Sequence, residues 1–358
     1  MKVVSIVGAR PQFVKLAPVA AALSAAGHEH VIVHTGQHYD DRLSDVFFAD
    51  LAIPQPDVHL GVGSGSHGVQ TGTMLSALDG VLDAQRPDWV LVYGDTNSTI
   101  AGALSAVKMH LPVAHLEAGL RSFNRAMPEE HNRVLTDHAA DLLLAPTQVA
   151  VDHLASEGLA KRTVLVGDVM TDVCFRVRDA VLADPPAAPA GIAGDYLVST
   201  IHRAENTDDP QRLEAIVTAL AALDLPVLLL AHPRLVAKAE ESGVDLHRSG
   251  PGGGIVVARP LPYPEMVAAV LGSRGVVTDS GGLQKEAFLL DRLCTTVRTE
   301  TEWVETLEGG WNVLAGTPEL LARLPEFVAR PVPDGPRATP YGDGHAAPLV
   351  ARTLAEWS

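Results

Sequence analysis

The sequence of 358 residues predicts an α/β protein with two doubly wound domains, each a parallel β-sheet covered by helices. Three observations predict this fold: apolar runs that are continuous rather than alternating, helical patterns between those runs, and one proline-rich stretch near the middle of the chain. Continuous apolar runs are typical of strands that are buried on both faces of a parallel sheet. Strand and helix in regular alternation give the Rossmann-like architecture.

The first β/α unit shows the pattern clearly. Residues 3–7 predict a strand, and residues 11–26 predict a helix that begins with Pro11 and stops at Gly27. A second helix is predicted at 210–223, behind Asp208 and Asp209. Further strands are predicted at the apolar runs 89–93, 112–116, 142–144, 196–198, 227–230 and 275–277.

Residues 184–191 (Asp-Pro-Pro-Ala-Ala-Pro-Ala-Gly) form the most linker-like stretch of the chain. Proline rigidity and the lack of any pattern favour neither helix nor strand there. Because a β/α series starts on each side of this stretch, we predict a first domain at 1–184 and a second at 185–340. The two Rossmann-like domains are expected to face each other across a central cleft that holds the ligand.

Composition and charge exclude several classes of function. Lys and Arg total 27 and Asp and Glu total 43, which gives a formal charge of −16. Nucleic acids and anionic membranes require a basic face, so we expect neither as a partner. Cys174 and Cys294 lie far apart and in no Cys/His cluster, so no metal site is expected. The first apolar run is too short for a signal peptide, which favours the cytoplasm.

Polar residues of the first domain follow the predicted strands, at the sheet edge where ligands of open α/β sheets bind. Arg10 lies at the first helix start and Lys15 about one turn further, so both cations can meet a phosphate. Gln37 lies in the loop after the next strand. Asp95 and Glu117 each follow a buried strand, which places two carboxylates at neighbouring strand ends, although Asp95 can also serve as an N-cap.

A third acidic site, Glu129 and Glu130, opens the following helix. Adjacent helical residues point about 100° apart, so at most one of the two faces the cleft, and spacing does not decide which. A first-turn position favoured by the helix dipole explains the pair equally well. Crowded carboxylates repel each other, and at least one pKa is expected to rise, which suits acid/base work near neutrality.

The second half supplies groups that suit an anion. His202 and Arg203 follow the strand at 196–198, and His232 ends the next strand in the same way. The loop at 278–282 passes through Gly281 and Gly282 into a helix, whose N-terminal amides and dipole suit a diphosphate. We therefore predict an enzyme that acts on a nucleoside-diphosphate-linked molecule, with carboxylates working on the part that is not phosphate.

The motifs, in their order, resemble the UDP-N-acetylglucosamine 2-epimerase family, whose members have the GT-B architecture of two Rossmann-like domains. The matched motifs are Gly-Ala-Arg-Pro at 8–11, Thr-Gly-Gln-His at 35–38, Gly-Asp-Thr at 94–96, His-Leu-Glu-Ala-Gly-Leu-Arg at 115–121, Pro-Glu-Glu-His-Asn-Arg at 128–133, His-Arg at 202–203, Thr-Asp-Ser-Gly-Gly at 278–282 and Pro-Tyr-Gly-Asp-Gly at 340–344. By this resemblance, residues 341–358 form a C-terminal helix that packs back on the first domain.

The resemblance implies a non-hydrolysing C2 epimerase that converts UDP-GlcNAc to UDP-ManNAc without NAD, any other cofactor or a metal. The family's route eliminates UDP to give a glycal intermediate and then adds UDP back. The implied catalytic residues are Asp95, Glu117, Glu129 and His202. The implied UDP- and substrate-binding residues are Arg10, Lys15, Gln37, Arg133, Arg203, His232, Tyr263 at the uracil, Ser280, Gly281, Gly282 and Glu286 at the ribose.

Three other reactions are also compatible with these motifs. Residues 284–286 (Gln-Lys-Glu) and 299–305 (Thr-Glu-Thr-Glu-Trp-Val-Glu) resemble the subgroup that includes epimerases of UDP-2,3-diacetamido-glucuronate. A hydrolysing epimerase would release ManNAc, and a GT-B glycosyltransferase would share the UDP site. The glycosyltransferase is disfavoured because Cys294 stands where retaining members place a second glutamate. The resemblance also implies a homodimer and a role in polysaccharide or antibiotic aminosugar biosynthesis.

Overall fold

The computed structural model describes residues 1–37, 54–187, 191–192, 194–335 and 337–358, with the side chain of residue 10 outside this description. The chain divides into two compact units, one formed by Met1–Val173 with Thr339–Ser358 and the other by Cys174–Ala338. Each unit contains its own sheet. Residues 188–190 of the predicted linker lie outside the described residues, and residues 185–187 are irregular.

Strands and helices alternate along most of the described chain. Up to residue 183 they are β1 (Lys2–Val7), α1 (Arg10–Ala25), β2 (Glu29–His34), β3 (Val58–His59), α2 (His67–Gln85), β4 (Trp89–Tyr93), α3 (Asn97–Lys108), β5 (Val113–Leu116), α4 (Pro128–Ala139), β6 (Leu142–Ala145), α5 (Gln148–Ser156), β7 (Thr163–Leu165) and α6 (Val169–Ala183). From residue 197 they are β8 (Leu197–Thr200), α7 (Ala204–Thr207), α8 (Pro210–Ala221), β9 (Val227–Leu230), α9 (Pro233–Ser242), β10 (Ile255–Ala258), α10 (Tyr263–Gly272), β11 (Gly275–Thr278), α11 (Gly281–Leu289), β12 (Leu293–Thr296), β13 (Asn312–Leu314), α12 (Pro318–Leu321), α13 (Leu324–Val328) and α14 (Ala346–Glu356).

The sheet of the first unit has the order β3-β2-β1-β4-β5-β6-β7 among the described strands. Its neighbouring strands pair in parallel, for example with Val4 opposite Val31 on one side and Val90 on the other. Side chains of β4 pack with Leu78 and Leu82 of α2 in one fully buried core. The continuous apolar runs therefore mark parallel strands covered on both faces, as predicted.

The sheet of the second unit has the order β10-β9-β8-β11-β12-β13, again with parallel neighbours. Its core joins β8, β9 and β11 to α8, which contributes the buried Leu213 and Ile216. Asp209 caps α8 by accepting hydrogen bonds from the amides of Gln211 and Arg212, which explains why the helix begins at Pro210. Both sheets confirm the predicted α/β fold class.

Residues 339–358 pack on the first unit. The amides of Ala346 and Ala347 at the start of α14 donate to the Asp172 carboxylate, at 3.0 and 2.7 Å. At the other end of the helix, the Leu354 carbonyl accepts a hydrogen bond from the Trp89 indole at 3.0 Å. The helix also contacts α1, and residues 339–358 belong to this unit.

Candidate active site

The centre of the first unit's site is an ion pair between Lys15 of α1 and Glu117, the residue after β5. Both side chains are about nine-tenths buried, with 12% of each exposed. Burial opposes the charge on Lys15, but Glu117, Asp95 and Asp168 outweigh that penalty and raise the pKa of Lys15. Lys15 therefore stays charged and holds the Glu117 carboxylate at the carboxyl end of the sheet.

The backbone at Glu117 has a φ of 71°, which lies in the left-handed region that side chains other than glycine rarely occupy. The amides of Glu117 and Ala118 both donate to the Leu144 carbonyl of β6, at 3.1 and 3.2 Å, and hold this turn. Non-glycine residues in such conformations concentrate at functional sites, where surrounding contacts compensate for the strain. Gly94 comes so close that an added Cβ would lie 3.2 Å from Glu117 Oε2.

Asp95, at the end of β4, pairs with Arg133 of α4 and is one-third exposed. Thr96, and not Asp95, caps α3, because the Thr96 hydroxyl accepts from the Thr99 amide. The Asp95 carboxylate is therefore available for chemistry or for ion pairing. Arg133, predicted to bind phosphate, directs its two terminal nitrogens to Asp95 and Glu130.

Glu129 and Glu130 have different environments. Glu130 is 5% exposed and accepts hydrogen bonds from the Ser122 amide, the Ser122 hydroxyl and the Phe123 amide at 2.9, 2.9 and 3.0 Å. Burial opposes its charge, but these bonds and Arg133 lower the pKa of Glu130. Glu130 thus fastens the loop before α4, whereas Glu129 is exposed. This arrangement leaves Glu129 as the member of the pair that can reach a ligand.

In the second unit, Asp279 organises the residues that follow β8. Its fully buried carboxylate accepts from the amides of His202 and Arg203 at 3.1 and 3.0 Å and from the Asn206 side chain at 3.0 Å. It also lies 3.3 Å from His202 Nδ1. Burial lowers the pKa of His202 more than Asp279 raises it, and His232 and Arg203 lower it further. His202 is therefore neutral near pH 7.

Helix α11 begins at the predicted diphosphate site. The Ser280 hydroxyl caps it by accepting from the Leu283 amide at 3.3 Å. An added Cβ at Gly281 would lie 2.3 Å from Glu302 Oε1, so the Glu302 side chain would have to move, whereas an added Cβ at Gly282 would meet only Ser280 Oγ, at 3.9 Å. Arg203 completes this surface, with its Nε donating to the Asp279 carbonyl at 3.0 Å. A helix N-terminus beside an arginine favours an anion.

Glu286, one turn into α11, has an unusual environment. Burial raises the pKa of Glu286 to about 7, although the neighbouring Tyr263 hydroxyl and the charge of Lys285 both oppose the rise. The Tyr263 hydroxyl is itself buried among Glu286 and Cys174, and its burial raises the pKa of Tyr263. The predicted ribose residue therefore titrates near neutral pH.

This titration predicts a pH-dependent stability. The folded protein retains a proton on Glu286 that the unfolded chain releases above its usual pKa of 4.5, so ionisation opposes folding as the pH rises through about 7. Between pH 5 and pH 8, we expect the free energy of unfolding of the wild type to fall by about 1 to 3 kcal/mol relative to that of Glu286→Gln. Urea unfolding of both proteins at each pH measures this; parallel pH curves would contradict it.

The remaining predicted residues have diverse positions. Gln37 is buried, and its Oε1 accepts from the Ser98 amide at 3.0 Å and the Ser98 hydroxyl at 2.7 Å. His232 is exposed and caps α9 by accepting from the Arg234 amide at 3.2 Å, with its ring 5.7 Å from that of His202. The side chain of Arg10 lies outside the described residues.

Two residues were missed by the sequence analysis, Asp168 and Asp279. Asp168 is buried, contributes to the high pKa of Lys15, and lines a small pocket together with Lys15 and Glu117. Asp279 lies within the Thr-Asp-Ser-Gly-Gly motif at 278–282, in which only Ser280, Gly281 and Gly282 were predicted to bind the ligand. A carboxylate at the end of β11 was the available signal, since the carboxylates at the ends of β4 and β5 were both predicted site residues.

Neither a metal-binding cluster nor a membrane-spanning helix occurs in the described ranges. They contain no group of three or more His, Cys, Asp or Glu side chains placed to hold a metal ion. Nor do they contain a helix with the length and apolar character needed to cross a membrane.

Comparison with known proteins gives a consistent result. The family model for UDP-N-acetylglucosamine 2-epimerase matches residues 21–355. The chain is 44% identical to the UDP-2,3-diacetamido-2,3-dideoxy-D-glucuronate 2-epimerase of Pseudomonas aeruginosa, over 99% of this chain and 100% of that protein. It is 38% identical to the UDP-N-acetylglucosamine 2-epimerase of Methanocaldococcus jannaschii, over 99% of each chain.

Solved structures agree with these relatives. The crystal structure of the Methanocaldococcus jannaschii enzyme in complex with UDP-GlcNAc and UDP has a TM-score of 0.86 and 37% identity, over 99% of this chain and 100% of that one. The Neisseria meningitidis enzyme bound to UDP-GlcNAc also scores 0.86, with 26% identity and the same coverage. These similarities confirm the GT-B type of fold. The chain belongs to the UDP-N-acetylglucosamine 2-epimerase family.

Proposed function

We propose that this protein is a non-hydrolysing C2 epimerase of a UDP-linked 2-acetamido sugar, with UDP-GlcNAc and UDP-ManNAc as its epimeric pair. The observation that carries the proposal is the Glu117 carboxylate, held by the buried Lys15 in a left-handed turn beside Asp95. Inversion at C2 requires removal of a proton from one face and its replacement on the other. Several carboxylates at one sheet edge provide groups for both steps.

The proposed reaction has two halves. A carboxylate from Glu117, Asp95 or Glu129 removes the C2 proton, the C1–O bond to the diphosphate breaks, and UDP leaves with the bonding electrons. The C2–H electrons form the C1=C2 double bond of a glycal. A proton then adds to the opposite face of C2, and a diphosphate oxygen re-forms the bond to C1. Atoms and electrons balance without an added oxidant or reductant.

The second unit is assigned to UDP in this proposal. His202, Arg203 and the amides at Gly281 and Gly282 would stabilise the charge that develops on the departing diphosphate. The neutral His202 has its Nδ1 directed to Asp279, so its Nε2 is the ring nitrogen that can exchange a proton with the substrate or accept a hydrogen bond from it. Glu286 is assigned to the ribose and Tyr263 to the uracil.

A second substrate has specific support. The Pseudomonas aeruginosa relative named for UDP-2,3-diacetamido-2,3-dideoxy-D-glucuronate is 44% identical over its full length. The segment 299–305, which resembles that subgroup, lies at the start of α11: Glu302 pairs with Arg298 at 2.8 Å, and the Lys285 Nζ lies 3.9 Å from the centre of the Trp303 ring. A sugar carboxylate would require a cation, and Arg298 and Lys285 are the local candidates.

Proton NMR in deuterated water tests both substrates. The purified protein is incubated in parallel with UDP-GlcNAc and with UDP-2,3-diacetamido-2,3-dideoxy-glucuronate, and the anomeric and C2 signals are followed. We expect a second UDP-sugar with deuterium at C2, and the faster substrate is the preferred one. Free ManNAc would indicate a hydrolysing epimerase, and transfer of the sugar to an acceptor would indicate a glycosyltransferase. No change with either compound would contradict the proposed reaction.

The oligomeric state and the cellular role of the protein are also proposed. We propose a homodimer, which light scattering coupled to size-exclusion chromatography would show as twice the chain mass of 37.7 kDa. The nucleotide-sugar substrate favours the cytoplasm and a role in polysaccharide or antibiotic aminosugar biosynthesis. No nucleic-acid or membrane partner is proposed.

A further inference from the structure

A buried charged network lies directly behind Glu117, and the proposed reaction makes no use of it. It consists of Asp137 on α4, His115 on β5 and Arg121, and the three side chains are at most 1% exposed. His115 Nδ1 lies 2.7 Å from Asp137 Oδ1, and Arg121 Nη1 lies 2.7 Å from Asp137 Oδ2. Burial opposes the charge of Asp137, but His115 and Arg121 outweigh it and lower its pKa.

Asp137 holds the loop on both sides of Glu117. On the side before Glu117, Asp137 Oδ1 contacts His115, which precedes Glu117 by two residues. On the side after Glu117, Asp137 Oδ2 accepts a hydrogen bond from the amide of Gly119 at 3.1 Å. Four residues after Glu117, Oδ2 pairs with Arg121. One carboxylate of α4 therefore determines the path of the backbone on either side of the left-handed Glu117.

His115 extends the network to the second strand end. Its Nε2 lies 2.7 Å from the Gly94 carbonyl, and because a carbonyl only accepts, this nitrogen carries a proton. Gly94 immediately precedes Asp95, so the ring connects the backbone at Asp95 to the same Asp137. Glu129 and Arg133 belong to the helix that carries Asp137. The backbone segments that carry Glu117, Asp95 and Glu129 are thus all connected to the buried pair of His115 and Asp137.

Burying three ionisable groups is an inefficient way to stabilise a fold. Desolvation costs several kcal/mol for each ion, and well-packed apolar residues of similar volume often serve stability equally well. Hydrogen-bonded networks in a low-dielectric interior do, however, fix a unique geometry. A left-handed Glu117 requires such surrounding constraint.

We infer that Asp137 and His115 are positioning residues, which set the relative placement of Glu117 and Asp95 for proton transfer at C2 without touching the substrate. This inference rests on the proposed epimerase function. Misplacement of a catalytic group by about 1 Å can cost roughly 10²-fold in rate. Loss of the network is therefore expected to lower kcat, whereas UDP, assigned to groups of the second unit, should bind as before.

The first test compares Asp137→Asn with Glu157→Gln. The introduced asparagine can still accept from the Gly119 amide, but the substitution removes the charge opposite His115 and Arg121. Glu157 also pairs with Arg121, at 2.8 Å, yet it is one-quarter exposed, and among the described residues His115 and the Gly119 amide bond to Asp137 and not to Glu157, so it is the matched control. We expect Asp137→Asn to lower kcat about 10- to 100-fold, with KM and the Kd for UDP within about threefold. Glu157→Gln should retain the wild-type kcat.

Two variants of His115 separate positioning from packing. A glutamine amide can reproduce the Nε2 donor to Gly94, and an asparagine amide the Nδ1 contact to Asp137. We expect His115→Gln to retain several-fold more kcat than His115→Asn, because only the glutamine keeps the connection to Asp95. Equal kcat values in all folded variants and the wild type would overturn the inference. Failure of all three variants to fold at the assay temperature would also overturn it, by showing a purely structural network.

The wild type serves as the reference for the proposed function. If the wild type leaves UDP-GlcNAc and UDP-2,3-diacetamido-2,3-dideoxy-glucuronate unchanged, the proposed reaction fails, and with it the inference. If the wild type epimerises either compound and the folded Asp137→Asn variant matches it, only the inference fails.

Discussion

We expect Glu117→Gln to lower kcat by about 10²- to 10⁴-fold, the range typical for loss of one acid/base group. The Kd for UDP should stay within a factor of about three, because Glu117 is assigned to the sugar and most of the groups assigned to UDP belong to the second unit. Glutamine fits the space of glutamate and can accept a hydrogen bond from Lys15, so the turn at residue 117 is retained. Isothermal titration with UDP and NMR turnover measure the two quantities separately.

The matched control for this substitution is Glu356→Gln. Glu356 is exposed at the end of α14, and the same change of carboxylate to amide should leave kcat, the Kd for UDP and the unfolding free energy unchanged. Near-normal turnover of Glu117→Gln would refute the catalytic assignment of Glu117. Loss of UDP binding together with turnover would instead place Glu117 in ligand binding.

Adjacent substitutions on α4 should have opposite consequences. We expect Glu129→Gln to lower kcat about 10²-fold or more while changing the unfolding free energy by less than about 0.5 kcal/mol, because the side chain is exposed. We expect Glu130→Gln to lower the unfolding free energy by about 1 to 3 kcal/mol, since an amide cannot accept all the donors from Ser122, Phe123 and Arg133.

Urea unfolding measures the unfolding free energy of Glu129→Gln and Glu130→Gln, and steady-state turnover measures their kcat. Each variant is the control for the other in both measurements. The contrary result, a stable but inactive Glu130→Gln and an active Glu129→Gln, would exchange the two roles. Such an exchange would mean that the loop before α4 rearranges when substrate binds.

Patterns local in sequence predicted most of the fold. The continuous apolar runs at 89–93 and 227–230 coincide with β4 and β9. Gly27, with a φ of 72°, follows α1 as its predicted stop. These features depend on the chain within a few residues, where periodicity and backbone preference are decisive.

Long-range partners could not be predicted in the same way. Spacing placed Glu117 at a strand end but did not reveal its pairing with Lys15, which is 102 residues away. Likewise, spacing left Glu129 and Glu130 equivalent, and burial by the loop at 122–123 distinguishes them. His115 and Arg121 stood within a recognised motif, yet their joint partner Asp137 becomes visible only when α4 packs behind β5. Helix and sheet packing determine these contacts.

The division of the chain has a consequence for its biosynthesis. The first unit is discontinuous, since residues 339–358 follow the whole of the second unit, Cys174–Ala338. During translation, α1 and Trp89 are therefore made long before α14, the helix that contacts them. The second unit is a continuous segment and can fold before α14 is made. The unit that is synthesised first is therefore the last to be completed, because its outer layer needs α14.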